Sequence, residues 1–119
     1  RSVALCMSRK LKIPVSIKIG PYTFRVYGRG TAWVQSNGAY GNTITDTLEI
    51  NVAVNYSNLI VLDTLIHEIY HGIFYVYHLE DRDEEERTVA TMATAWVAVL
   101  RDNPALVDYQ NAVLVDYHQ

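Results

Sequence analysis

Residues His67-Glu68-Ile69-Tyr70-His71 constrain this chain more than any other stretch. On a helix, residues four apart share one face, one turn above the other. Two imidazoles so placed can share one tetrahedral zinc, and a glutamate beside the first can reach a water on that metal. The alternative, a pair of core histidines, would leave Glu68 as an unpaired charge in an apolar helix, which is costly. The flanking sequence is helical from Ser57, with Leu62, Ile66, Ile69, Ile73 and Val76 as one apolar stripe. Ile60, His67, His71, Phe74 and His78 lie on the other side. A helix apolar almost all round belongs in the domain centre, so the histidines should point into the protein or a cleft. Asn55 or Ser57 is the expected N-cap.

A catalytic zinc takes three protein ligands. A third histidine six residues past His71, with a preceding glycine, would fall at Tyr77 and Phe74, so that pattern fails. His78 lies roughly 10 Å along the same helix axis and cannot close the site without a break in the helix; it reads as structural. The remaining source is Glu84-Glu85-Glu86, which opens a second helix running through Val89, Met92, Ala93, Trp96 and Leu100. Packed antiparallel on the first helix, it would carry these acids back towards the histidines. Glu85 is nearest its apolar stripe. Glu86 is offset, on the side of Ala90 and Ala93, small residues that would let the helices approach. Angle alone does not separate the two, and acids at a helix start also serve simply to complement the dipole. In this reading zinc acidifies a water and polarises a carbonyl, while Glu68 is the general base. Asp63, one turn before His67, is either a partner for its ring or a solvent-facing acid. The nine tyrosines leave an oxyanion-stabilising residue open.

The first half reads as a small, mainly antiparallel sheet. Val15–Ile19 and Tyr22–Tyr27 alternate apolar and polar residues about Gly20-Pro21, as a hairpin or one bent strand. Thr31–Val34 reads as a short strand, Gln35–Gly38 as a turn with an Asn-Gly signal, and Leu48–Val52 as a strand. Residues 40–45 resist assignment. Asp102-Asn103-Pro104 ends the second helix and starts a short third over Leu106, Tyr109 and Val113. The expected fold is therefore α+β, one domain over residues 1–119, with residues 1–12 as a loose basic tail.

At 119 residues, 50% apolar and 19% charged, the chain can build a core. Cys6 is its only cysteine, which rules out an intramolecular disulfide and fits a reducing compartment. No apolar run reads as a membrane span; the longest, Val89–Leu100, is too short. Charge is segregated: residues 1–45 carry seven Lys or Arg and no acid, residues 46–119 three Arg against thirteen acids. That is either a basic sheet face beside acidic helices or a surface for nucleic acid or an acidic substrate.

Residues 17–24, 62–71 and 99–104 together resemble the small H-E-x-x-H proteins of bacteriophage and prophage genomes, regarded as metallopeptidases. The core is also similar to that of ImmA/IrrE-like and SprT-like proteases. In the ImmA/IrrE-like pattern the third ligand is a glutamate opening a helix, followed by small and apolar residues. Glu86, Ala90, Met92 and Ala93 are similar to it, so the resemblance favours Glu86 over Glu85, although the asparagine often found four residues on is Ala90 here. It implies a zincin-like fold and a zinc peptidase with His67, His71 and Glu86 as ligands, Glu68 as base and a peptide or protein substrate. It places the protein in the bacterial host cytoplasm. A non-enzymatic module keeping zinc for structure and a nucleic-acid-associated phage protein are the rival readings.

Overall fold

The computed structural model describes residues 10–79 and 85–118, with the backbone alone at 85–87 and 89. Cys6, residues 1–9 and Glu84 lie outside the described residues. The fold is α+β, a four-stranded mixed sheet with helices. β1 (Ser16–Ile19) and β2 (Tyr22–Arg29) pair as the hairpin, turning at Gly20-Pro21 with Gly20 at φ 58°. β3 (Gly41–Ile44) and β4 (Glu49–Ala53) form a second antiparallel pair. β4 inserts beside β2 in parallel, Val26 opposite Ile50, giving the order β1-β2-β4-β3. Two of the three pairings are antiparallel, as the alternation leads one to expect; the parallel one needs a crossover that no local pattern reveals.

Thr31–Asn37 is a helix, α1, and not a strand followed by a turn. Gly30 precedes it as N-cap, and Gly38 closes it at φ 68°, its N–H bonded to the Val34 carbonyl at 2.8 Å. The Asn-Gly pair thus acts as a left-handed helix stop and not as a hairpin turn. The unassigned stretch at 40–45 contains edge strand β3.

α2 (Asn58–Val76) starts at Ser57, whose Oγ accepts from the Ile60 N–H at 3.3 Å. Its buried residues are Asn58, Val61, Leu62, Leu65, Glu68, Ile69, Gly72 and Ile73. The apolar stripe is therefore rotated from the expected one, leaving Ile66 and Val76 half-buried. Gly72 explains the rotation. A Cβ there would lie 2.7 Å from Ile19 Cδ1 and 3.6 Å from the Phe24 ring, so the helix presses backbone-close to the sheet at that point. Burial is one-sided: Leu59, Ile60, Tyr70 and Tyr75 are exposed. α2 is 19 residues with a mean hydropathy of 1.3, long and apolar enough by length and composition to cross a membrane, which the sequence pattern does not lead one to expect. Here its buried face packs on the sheet.

α3 (Glu85–Asp102) and α4 (Pro104–Tyr117) complete the helical layer; α4, at 14 residues, is longer than expected. The core unites Ile17, Ile19, Phe24, Ile50 and Val52 of the sheet with Leu65, Ile69 and Ile73 of α2, and with Ala95, Val99, Leu106 and Val113. Each Val, Leu, Ile or Phe among them contributes about 1.5–3 kcal/mol on burial. Asn103 marks the α3–α4 break as expected, but its side chain does not cap α4. It accepts from the Lys18 N–H at 2.8 Å and donates to the Lys18 and Val99 carbonyls at 2.9 and 2.7 Å, pinning the helix junction to β1. Residues 10 and 11 are likewise tied down and not part of a loose tail. Lys10 Nζ donates to the Val54 and Tyr56 carbonyls, and the Leu11 N–H to Asn58 Oδ1.

The Tyr109 hydroxyl is buried with no hydrogen-bond partner among the described residues, and burial pushes its pKa up to about 12. Removing an unpartnered hydroxyl should be neutral or stabilising by about 1 kcal/mol. Because the unfolded chain loses this proton first, stability should fall as pH rises from about 10 towards 12. Tyr109→Phe should lack that part of the decline. Denaturant unfolding of both proteins at neutral and alkaline pH checks this; a clear loss of stability at neutral pH in the variant would reveal a partner for the hydroxyl.

Candidate active site

The rotation set by Gly72 turns Glu68 towards the sheet and leaves His67 and His71 on the flank of α2, exposed but lining a cleft of about 450 Å³. The cleft thus receives them as expected, although they are not withdrawn from solvent. Their Nε2 atoms converge to 3.2 Å, with ring centroids 4.9 Å apart and planes at 68°. Without a cation, one Nε2–H can donate to the other. With zinc at about 2.0–2.1 Å from each nitrogen in tetrahedral geometry, the nitrogens would stand about 3.3–3.4 Å apart. The observed 3.2 Å is close to that separation.

Glu68 is 5% exposed. The partner it requires comes from β3: Thr43 Oγ1 lies 2.8 Å from Glu68 Oε1 and 3.0 Å from the Glu68 carbonyl, and donates to this pair. Oε2 has no hydrogen-bond donor among the described residues. Space for the carboxylate is made by Gly41, where a Cβ would lie 2.8 Å from the Asn51 carbonyl, 2.9 Å from Thr64 Cγ2 and 3.1 Å from Glu68 Oε2. Thr43 and Gly41 are site residues that sequence reasoning missed. Their relation to Glu68 spans some twenty-five positions and two elements, and nothing local announces it.

The remaining cleft wall is Asn42, Thr45 and Tyr75. Tyr75 lies one turn beyond His71 on the same helical face, which singles it out among the nine tyrosines. Tyr40 lines an adjoining cavity of about 290 Å³ with Asp63, Thr64, His67 and Glu68. Asp63 is exposed, and no hydrogen bond joins it to His67.

His78 stands beyond the end of α2. It adopts φ 55°, while the Leu79 N–H reaches back to the Phe74 carbonyl at 2.9 Å and its own N–H to Tyr75 at 3.3 Å. This left-handed closure is the helix break on which any metal role for His78 depended. His78 nevertheless does not join His67 and His71: among the described residues no three His, Cys, Asp or Glu converge.

The side chains of Glu85 and Glu86 lie outside the described residues, so the third ligand is not placed. Two neighbouring facts bear on it. Ala90 and Ala93 are exposed, so the side of α3 they share with Glu86 is not a close contact with α2, contrary to the expected helix approach. α3 meets α2 through Trp96 against Tyr70, edge to face at 5.6 Å, and otherwise lies over β1 and α4. Glu86 precedes Trp96 by ten residues, about 15 Å of helix.

Compared with protein-family models, curated proteins and solved structures, the chain matches none.

Gly41→Ala should force β3 away from β4 or Glu68 out of its seat, at a cost of about 1–3 kcal/mol. Chemical denaturation of the metal-free protein measures it; unchanged stability would mean that the close approach at Gly41 is not real.

Proposed function

We propose that this protein is a zinc-dependent hydrolase, a metallopeptidase in which His67 and His71 hold the metal and Glu68 is the general base. The observation that carries this reading is the convergence of the two Nε2 atoms to 3.2 Å on the rim of a cleft that also contains Glu68. The third ligand rests on the ImmA/IrrE-like resemblance, not on the packing of α3; the resemblance assigns it to the acidic start of that helix and prefers Glu86 to Glu85.

When bound, zinc supplies Lewis acidity for a substrate carbonyl and acidifies water. The chain's own residues then act as follows. Glu68 accepts a proton from the attacking water and returns it to the leaving amine. Thr43 holds Oε1, so that Oε2 is the acceptor left for this proton. Gly41 keeps the strand close enough for Thr43 to reach. A carboxylate so seated is oriented before substrate arrives, and orientation is a large part of acid–base efficiency. The cleft is open, which suits a peptide or protein substrate. The phage-type resemblance extends the reading to the cytoplasm of a bacterial host, with no membrane partner.

Metal content per chain tests the ligand set. Wild type should retain about one zinc. His71→Ala should lose it, and Glu86→Ala should lose it or bind it far more weakly. Glu68→Gln should keep the metal, since an amide oxygen can still accept from Thr43, while hydrolysis of fluorescein-labelled casein falls by at least about a hundredfold. Undiminished zinc in Glu86→Ala moves the third ligand to Glu85. A wild type that takes up no zinc on reconstitution ends the proposal.

A further inference from the structure

The charge segregation noted in the sequence has a structural destination that the cleft does not use. Along β2, Phe24 and Val26 face the core, so Arg25, Tyr27 and Arg29 face away from the helices. Lys18 extends the same face on β1, where Ile17 and Ile19 point inwards. Asn51 and Asn42 continue it on β4 and β3. Glu49 is the one carboxylate within the four strands.

This face is built as well as basic. Asn51, 1% exposed, accepts from Arg29 Nε at 2.7 Å and donates to Asn42 Oδ1 at 2.9 Å and to Glu49 Oε2 at 3.3 Å. Arg29 is thereby held through Nε, and its two terminal nitrogens find no acceptor among the described residues. Its guanidinium lies 5.1 Å from the Tyr27 ring centroid, and that of Arg25 lies 5.9 Å from the same ring. Among the described residues the one ion pair is Arg101–Asp102, on α3, so Lys18, Arg25 and Arg29 pair with no carboxylate. Glu49 stands opposite Arg25 on this face, so three cations face one carboxylate there, and the excess of positive charge on an ordered sheet is complementary to an anion that lies along it.

We propose that this outer sheet face binds single-stranded nucleic acid, independently of the hydrolytic cleft on the helix side. The fork of Arg29, fixed at Nε, presents paired N–H donors that match phosphate oxygens. The planar guanidiniums, backed by Tyr27, offer surfaces on which unpaired bases stack. An open sheet accommodates an extended strand more readily than it enters a duplex groove. An acidic peptide would use the same charges but not the stacking surface.

Fluorescence anisotropy of a fluorescein-labelled oligothymidylate, titrated with the full chain, tests this. Binding at low salt should weaken as salt rises, with a log–log slope of about −2 for three phosphate contacts. Arg25→Ala, which removes no hydrogen bond within the fold, should weaken binding about tenfold and make the slope shallower by about 0.7. Arg29→Lys should weaken binding with the slope unchanged, because charge is kept and the fork is lost. Arg101→Ala should bind like wild type. Arg25→Ala alone carries the test if Arg29→Lys unfolds. The proposal is overturned by absence of binding at low salt or by an equal loss in Arg101→Ala. It is also overturned if poly-glutamate competes as well as unlabelled oligothymidylate, which would assign the face to an acidic protein.

Discussion

The seat of α2 on the sheet governs everything else in this molecule. Gly72 lets the helix backbone approach Ile19 and Phe24 to a distance no side chain would allow. That contact fixes the rotation of the helix, and with it the fate of every residue along its length. Leu65, Ile69 and Ile73 go into the core. Glu68 goes into the gap beside β3, and His67 and His71 come to rest on the rim. A rotation of one residue, 100° of helix, would bury an imidazole and expose the carboxylate. Burying Glu68 works against stability unless the charge is partnered. Thr43 is that partner, and Gly41 makes the room. The fold therefore contributes hydrophobic energy to hold a charged group where water would otherwise keep it.

The two layers also divide the charge. Helices α2 to α4 carry most of the acids, whereas the outer face of the sheet carries Lys18, Arg25 and Arg29. A net charge of −3 conceals this division, because the seven Lys and Arg before residue 46 offset most of the acidic excess after it. The cleft and the basic face lie on opposite sides of the sheet, one built on α2 and β3, the other on β2 and β4. Asn42, on β3, touches both: it lines the cleft and accepts from Asn51.

What could be read from residues alone was what is encoded locally. The 3.6-residue pattern from Ser57, the strand alternation around Gly20-Pro21 and the Asn103-Pro104 break all have short-range causes, and each lies where expected. His67, Glu68 and His71 share that property, since their relation is a matter of helical pitch. The unread parts depend on partners far away in the chain. α1 reads as a strand in the sequence because Thr31–Val34 suits either state until Gly30 and Gly38 are seen to bracket a helix. The parallel pairing of β2 with β4 has no local signal. The stripe of α2 is ambiguous in the sequence because the helix is apolar on more than one side, and only Gly72, set against Ile19, chooses between them. Thr43 carries no local signal, as its role exists only across the β3–α2 contact. The position of Asn103 is legible locally but its role is not, because Lys18 lies eighty-five residues before it.

The central claim is that His67 and His71 form a metal site above a buried glutamate. Zinc-edge X-ray absorption on the reconstituted protein tests it most directly. Expected is a four-coordinate site with two imidazole nitrogens at about 2.0–2.1 Å, oxygen in the remaining positions and no sulfur. The imidazole signature should vanish in the His67→Ala, His71→Ala double variant. A spectrum without imidazole scattering in the wild type, or one unchanged in that variant, would contradict it.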